Sequence, residues 1–502
     1  MTAQIVDGFL MLLHPVTFLY LIGGFLLGLV FGAIPGLTAT LAIALLLPFT
    51  FSMDVADALV MVAGIYMAGL YAGSITGITL NIPGAPSGAI TTVDGHALMK
   101  RGEGAQALGM SAFASTIGGL TGVVILIALA KPVSSLALLF QTPDKFSLVL
   151  LAIVTVTIVS QGSLLKSTTA MAIGLMIATV GIDPMLPEGR FDFDSYNLIE
   201  GVNLLPAVIG LFAVCELIAQ AGMPARLSQA QAVADLPAPR RRDFLPSRAR
   251  IREVGAFAMI RSSVLGVLIG MLPGGGASMA SFIAYAEAKR SAKKPDEFGK
   301  GSYEGLSASE AANNGVCGGA IIPLLTMGIP GDAVTAIIFG VLLLHGLVPG
   351  PTLLSDNFMV VSPMFAALFV ASLLIFVSVL LFGPLYLRLS RINRGVLYAF
   401  IGMISMVGVY ASTFSIFQMW VALAIGVLAM LLRVCGYPVV PALMGVILGP
   451  YFEEFLRRSL IVSKGDPSIF VTSPISLALL LLTLGFVWML RIGPARKAAS
   501  AR

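Results

Sequence analysis

Two stretches far apart in this 502-residue chain carry the same interrupted apolar pattern, and that duplication limits the available folds more than anything else in it. Gly28-x3-Gly32-x2-Pro35-Gly36 recurs as Gly266-x3-Gly270-x2-Pro273-Gly274. A second break follows each, Asn81-Ile82-Pro83-Gly84 in the first half and Gly328-Ile329-Pro330-Gly331 in the second. Proline removes a backbone donor and blocks the preceding turn, while glycine admits left-handed geometry, so each pair ends one half-helix and starts another. Irregular backbone at membrane depth is tolerated only where protein or a water-filled cavity satisfies it. Broken helices in corresponding halves are the sequence pattern of a transporter's binding site.

The flanking sequence is that of a membrane protein. Hydrophobic residues make up 57% and charged residues 11%, with mean hydropathy +0.96, well above ordinary globular domains. A span needs about 20 apolar residues of helix. Stretches near 16–34, 58–80, 105–130, 146–160, 163–182, 203–221, 256–272, 306–329, 358–387, 395–411, 414–432 and 475–490 meet or approach that length. An all-α polytopic membrane protein with roughly 11 to 14 spanning or half-spanning helices is expected. Val123 to Ala130 is apolar on every face, unlike the alternating strands of a membrane β-barrel.

Residues 1–15 hold no Lys or Arg, so no removable signal with a basic first region is expected. Cys215, Cys317 and Cys435 lie far apart, and no Cys or His spacing suits zinc, which predicts no cofactor and no transition metal. The formal net charge of +5 needs no nucleic-acid partner, because the basic residues gather in loops as the positive-inside rule describes. Arg240-Arg241-Arg242, Arg248, Arg250 and Arg252 mark a cytoplasmic linker, 222–255. Lys289, Arg290, Lys293, Lys294 and Lys300 mark a second cytoplasmic loop, Arg388, Arg391 and Arg394 a third, and Arg491, Arg496, Lys497 and Arg502 a cytoplasmic tail. The acidic stretch Asp183 to Asp194 is expected outside.

Loop charge also orients the duplicated segments. The second Pro-Gly break, within 256–288, has basic loops on both sides, whereas the first is flanked by residues 1–15 and Ser52 to Asp57, which have none. The later breaks reverse the contrast, since Lys100 and Arg101 follow the first and Pro349 to Asn357 carries no basic residue after the second. Opposite charge patterns predict two inverted repeats with re-entrant hairpins. The expected divisions are a first repeat 1–221, the linker 222–255, a second repeat 256–411, and additional helices with the tail at 412–502. Most of the 54 glycines are read as close helix packing.

Polar residues collect around the breaks. The first half supplies Thr38, Thr40, Ser74, Thr76, Thr79, Asn81, Ser87, Thr91, Thr92 and Asp94; the second supplies Ser278, Ser281, Glu310, Asn313, Asn314, Thr326, Asp332 and Thr335. Hydroxyls, amides and free carbonyls suit alkali cations and also hydrogen-bond carboxylates. Helix N-termini attract anions through free N–H groups and about half a positive charge.

Gly64-Ile65-Tyr66-x2-Gly69-x-Tyr71-x-Gly73-Ser74-Ile75, Leu80-Asn81-Ile82-Pro83-Gly84 and Asp94-Gly95 resemble the large membrane subunit of tripartite tricarboxylate transporters, the TctA-like family. So do Leu272-Pro273-Gly274-x-Gly276-Ala277, Phe298-Gly299-Lys300-Gly301, Glu310-Ala311-Ala312-Asn313-Asn314 and Ile322-Pro323-Leu324-Leu325-Thr326-x-Gly328-Ile329-Pro330-Gly331. The resemblance covers nearly the whole chain; Ala97, where the family pattern has proline after Asp-Gly-x, is a local departure. It implies a multi-pass permease of the bacterial inner membrane, with a small TctB-like membrane subunit and a periplasmic TctC-like solute-binding protein. It also implies cation-driven import of a tri- or dicarboxylate such as citrate. The helices after about 390 are expected either to scaffold the moving parts or to form an oligomer contact, and a homodimer is a further expectation.

Within that frame Gly36, Thr38, Asn81, Gly84, Gly274, Gly276, Asn313, Asn314 and Gly331 are the substrate-binding candidates. Thr79, Asp94, Thr326, Asp332 and Thr335 are candidates for coupling Na+ or H+, because a polyanion at midplane needs more positive charge than helix ends supply. Asp94 and Asp332 also read as capping residues. A passive anion channel explains the helices but not two matched breaks in opposed halves. An intramembrane enzyme is disfavoured by the absence of H-E-x-x-H, G-x-S-x-G and Gly-x-Gly-Asp patterns.

Overall fold

The computed structural model describes residues 2–34, 37–160, 163–183, 185–186, 188–221, 240–386 and 394–499. Its regular structure is helical apart from one short antiparallel hairpin, Gly181–Ile182 with Gly189–Arg190. The first half contains α1 (Pro15–Ala33), α2 (Ala39–Thr50), α3 (Val55–Leu80), α4 (Ala89–Lys100) and α5 (Gly104–Ala137), followed by α6 (Thr142–Val159) and α7 (Leu164–Ala178). The second half restarts the order with α8 (Ala256–Gly270), α9 (Gly276–Ser291), α10 (Tyr303–Met327), α11 (Ala333–Leu344) and α12 (Phe358–Tyr386). α13 (Ile416–Val434) and α14 (Val439–Val462) come later. Of the expected linker, 222–239 lies outside the described residues.

The duplicated sequence breaks are duplicated structural breaks. α1 and α2 are parted at 34–38, and α8 and α9 at 271–275. α3 ends on Asn81 at φ 57° and α10 on Gly328 at φ 72°, both left-handed caps, the geometry that glycine and asparagine accept most readily. Gly28 and Gly32 let α1 lie directly on the backbone of Ile65 and Gly69 in α3; Gly266 and Gly270 do the same against Ala312 and Val316 in α10. Each GxxxG thus serves as the seam between the first and third helices of its half.

The final helix of each half crosses to the central helix of the other. α5 packs along α10, with Gly118 and Gly122 against Ala311 and Gly315, while α12 packs along α3 and α5. α3 and α10 are consequently enclosed, and nearly every residue of both is buried. Seven described helices are long and apolar enough to cross a membrane by length and composition, and shorter apolar helices include α2, α7 and α11. α10 is not among the seven, because Glu310, Asn313 and Asn314 interrupt its apolar character; protein rather than lipid surrounds it.

α5 fixes the sense of each half. Its 34 residues extend for about 50 Å. Near its start, Glu103 meets Tyr303 and Arg250, and Gln106 donates to the carbonyls of Asp243 and Leu245. Near its end, Ala137 and Leu138 lie with Met327, Gly328 and Pro349. α8 therefore begins, and α9 returns, on the face where α4 ends. The start of α1 lies beside Asp54, Asp57 and Pro363, at the entry of α3 and α12. The two hairpins enter from opposite faces of the bundle.

Candidate functional site

Four half-helices begin around one cavity of about 590 Å³. α2 contributes Thr38 to Leu41, the start of α4 contributes Ala85 to Ser87, α9 contributes Gly274 to Met279, and α11 contributes Asp332 to Val334. Gly69 and Leu70 of α3 form part of the wall. Elements outside the duplicated hairpins close another side: Val159 and Ser160 at the end of α6, Phe212 and Glu216, and Pro438 and Val440 near α14. Phe212 lies in a single turn of π-helix, Ile209–Val214, a geometry common at functional positions. The described lining contains two carboxylates, Asp332 and Glu216, and no Lys, Arg or His.

Local chemistry explains why helices start there. Thr38 has an extended backbone and its hydroxyl accepts from Leu41 N at 3.1 Å, an N-cap. Asp332 caps α11, accepting from Thr335 N at 2.8 Å, and Thr335 Oγ1 accepts from Asp332 N at 2.9 Å. This reciprocal pair is a capping box. The second Asp332 oxygen, Oδ2, accepts from the buried Tyr66 hydroxyl of α3 at 2.6 Å. Gly274 at φ 78° and Gly276 at φ 54° carry the turn into α9 in backbone conformations that L side chains rarely adopt, and Gly274 N donates to Gly331 O at 2.8 Å.

Of the residues singled out from sequence, Thr38, Thr40, Ser87, Gly274, Gly276, Ser278 and Asp332 line the cavity. Gly36 lies outside the described residues. Gly84 and Gly331 sit one layer behind, where their missing side chains let the second breaks press on the carbonyls of Gly32 and Gly270. Thr335 acts through Asp332. Thr79 and Thr326 occupy matched places two residues before the left-handed caps, and each hydroxyl donates to the carbonyl four residues earlier, Ile75 at 2.7 Å and Ile322 at 2.6 Å.

Three sets of candidates lie away from the cavity lining. Asn81 is an exposed helix cap away from the cavity lining, and its amino-acid type follows from its positive φ. Asn313 and Asn314 do not line the cavity; their amides donate to the carbonyls of Leu70 and Met67, each at 3.0 Å, so they tie α10 to α3 directly behind the wall. Asp94 is fully buried between the halves. Its Oδ1 accepts from Gly299 N, Gly301 N and Ser302 N at 2.8–2.9 Å and its Oδ2 from Tyr285 Oη at 2.8 Å, a set that uses its acceptor capacity on the 298–302 loop and α9.

Sequence reasoning passed over Tyr66, Phe212 and Glu216, and placed Glu310 among the polar residues without giving it a role. One tyrosine in an apolar helix is indistinguishable from a core aromatic until its partner, Asp332, is known. Ser87 also stands out, because its Oγ is buried at the cavity wall without a hydrogen-bond partner.

Outside the bundle core, Asp183 accepts from Arg457 of α14 at 2.5 Å and from the backbone of Met185 and Leu186, while Arg190 bonds Glu453. Burial pushes the Asp183 carboxyl up, but the Arg457 bond and the two backbone donors outweigh it and bring the group down to about 2.

The description "Tripartite tricarboxylate transporter TctA family" belongs to the family that matches residues 18–444. An uncharacterized 52.8 kDa protein in the TAR-I ttuC' 3'region of Agrobacterium vitis is 35% identical over 480 residues, covering 96% of this chain and 94% of that protein. An uncharacterized protein in the TAR-II ttuC' 3'region of the same organism is 37% identical over 219 residues, covering 44% of this chain and 90% of its own length. No solved structure matches the chain.

Proposed function

The chain belongs to the tripartite tricarboxylate transporter TctA family, a transporter family rather than an enzyme family, and from that premise we propose that it moves a tri- or dicarboxylate into the cell by alternating access, driven by Na+ or H+. The observation that carries this reading is the meeting of four half-helix N-termini, two from each half, around one cavity with no basic side chain in its described lining. Backbone N–H groups and partial helix charges suit carboxylate oxygens. They neutralise only part of a polyanion, and Asp332 adds negative charge while Glu216 is already paired with Arg433 at 2.6 Å, so a cation accompanying the substrate balances the site.

Opposed hairpins meeting at one cavity suit exposure to either face in turn. Residues 240–254, 289–300 and the C-terminal tail in this reading face the cytoplasm, which their basic residues support. In this reading the bilayer is a bacterial inner membrane, a periplasmic solute-binding protein delivers substrate at the opposite face, and a small membrane subunit completes the assembly, with a homodimer as one arrangement. The test is reconstitution of the complex in vesicles with citrate and other carboxylates under imposed Na+ or proton gradients. Accumulation against a carboxylate gradient supports a carrier. Flux that only runs downhill identifies a channel, and uptake indifferent to both cation gradients removes the coupling.

A further inference from the structure

Glu310 lies in the first third of α10, outside the cavity lining, and its side chain is fully buried. Oε1 accepts from Thr91 Oγ1 of α4 at 2.5 Å; Oε2 accepts from Ser115 Oγ of α5 at 3.0 Å and lies 2.8 Å from Ser74 Oγ of α3, whose single hydrogen is shared with the carbonyl of Tyr71. Three helices of the first half thus converge through hydroxyls on one carboxyl of the second. Hydroxyls solvate a carboxylate but do not neutralise it, and an isolated buried charge is costly. The groups on neighbouring helices leave it so. Asp94 is taken up by the 298–302 loop and Tyr285 of α9, and His96 Nδ1 faces the carbonyl of Ile78. Glu103 pairs with Arg250, and Arg261 of α8 pairs with Glu287 of α9. Lys100 and Arg101 lie where α4 ends, Lys289 and Arg290 in the last turn of α9. Tyr71 of α3 has a buried hydroxyl without a hydrogen-bond partner. Among the described residues no basic side chain is hydrogen-bonded or ion-paired to Glu310.

The cage also accepts the neutral form. Thr91 Oγ1 lies 3.3 Å from Ser309 Oγ, in a contact where either atom can donate. A proton added to Oε1 therefore donates to Thr91, whose own hydrogen turns to Ser309, and no hydroxyl is stranded. One turn before Thr91 on the same side of the α4 start is Ser87, the unpartnered hydroxyl at the cavity wall. Ser87 and Thr91 are hydroxyls between the cavity wall and Glu310 that are not hydrogen-bonded to each other, so transfer between them takes a bridging water or a side-chain rotation.

We propose that Glu310 is the proton-carrying residue of this carrier, loading and unloading through Thr91 and Ser87 as substrate crosses. Loading forms an Oε1–H bond with a proton from the cavity; unloading breaks it, the electron pair staying on the carboxylate and the proton leaving toward Ser87. The assignment rests on the carrier reading above and gives its coupling ion a place outside the substrate cavity.

The experiment compares wild type with Glu310→Gln in vesicles containing the complete complex, using citrate as probe and a trapped pH-sensitive dye. Wild type should carry protons inward with citrate. Glu310→Gln, nearly equal in shape, should still exchange labelled for unlabelled citrate while losing proton movement and pH-driven accumulation by about tenfold or more. Retained proton-driven accumulation in the variant overturns the proposal, as does wild-type uptake that follows Na+ without proton movement. If wild type moves no carboxylate at all, the carrier reading fails by itself. Infrared difference spectra of the purified protein then decide Glu310 separately, and also if the variant does not fold. A protonated-carboxyl stretch that shifts when glutamate is isotopically labelled at the carboxyl carbon, and that pH removes reversibly, supports the proposal, and its absence at every pH overturns it.

Discussion

Tyr66→Phe is the sharpest perturbation of the cavity, because it deletes one hydroxyl and almost no volume. Tyr66 is fully buried in α3 and Asp332 caps α11 in the other half, so their 2.6 Å bond ties the halves together at the cavity wall. A hydrogen bond to a charged group contributes about 1.5–3 kcal/mol. With about 1.4 kcal/mol per tenfold, losing it should weaken any step that needs the Asp332 orientation by about ten- to hundredfold. Asp332 is 8% exposed, so cavity water can replace part of the bond and the lower end is expected. The helix cap survives, since Oδ1 keeps Thr335 N and Thr335 Oγ1, both at 2.8 Å. Membrane insertion and detergent stability should therefore change little while uptake falls. Initial rates of citrate uptake, measured for Tyr66→Phe, Asp332→Asn and the double variant, complete a mutant cycle. If the two residues act through this bond, the double variant falls little below the worse single one. Wild-type rates in Tyr66→Phe, or losses that simply multiply, would refute the reasoning.

Gly84→Ala and Gly331→Ala should each cost about 1–3 kcal/mol, because the new methyl meets the backbone of Gly32 or Gly270. Gly23→Ala, where a Cβ meets nothing within 4 Å, should be neutral, and thermal unfolding of the three variants checks the contrast. Asp94→Ala should release the 298–302 loop by leaving three backbone N–H groups without their acceptor. A cysteine placed at Lys300 should then react faster with a membrane-impermeant maleimide, and an unchanged rate would count against the clamp. The Asp183 carboxyl is lowered to about 2 from 3.8, so its contribution is complete above pH about 3.8 and disappears as pH falls through about 2. Protease protection of the 181–190 hairpin should hold at pH 5 and disappear in Arg457→Ala; equal protection in that variant would refute the tether.

The breaks were legible because Pro, Gly and the spacing between them impose backbone geometry without help from distant residues. The places of Thr38, Gly274, Gly276 and Asp332 at the cavity wall follow from that geometry. Asn81 misled, since one amide that suits a ligand also suits a left-handed cap, and only exposure tells them apart. Asn313 and Asn314 were recognised as unusual for a membrane helix, but which carbonyls they reach depends on how α10 rotates against α3. The surroundings of Asp94 were not legible because its partners, Gly299 to Ser302, lie about two hundred residues away. The walls supplied by Phe212, Glu216 and Pro438 carry no local signal and emerge only from packing.

The crossing of α5 onto α10 and of α12 onto α3 has a consequence for biogenesis. α10 carries Glu310, Asn313 and Asn314, and a charged side chain at the centre of a helix costs about 2.5–3.5 kcal/mol to insert even by permissive measures. The hydroxyls and carbonyls that receive those side chains, at Ser74, Thr91, Ser115, Met67 and Leu70, all belong to residues made earlier. The first half therefore serves as an internal docking platform, already in the bilayer when α10 emerges. α12 follows and seals α3 from lipid. For α10 the ribosome thus delivers the polar helix after its receptor, whereas Asp94 of α4 must wait for Tyr285 and the 298–302 loop.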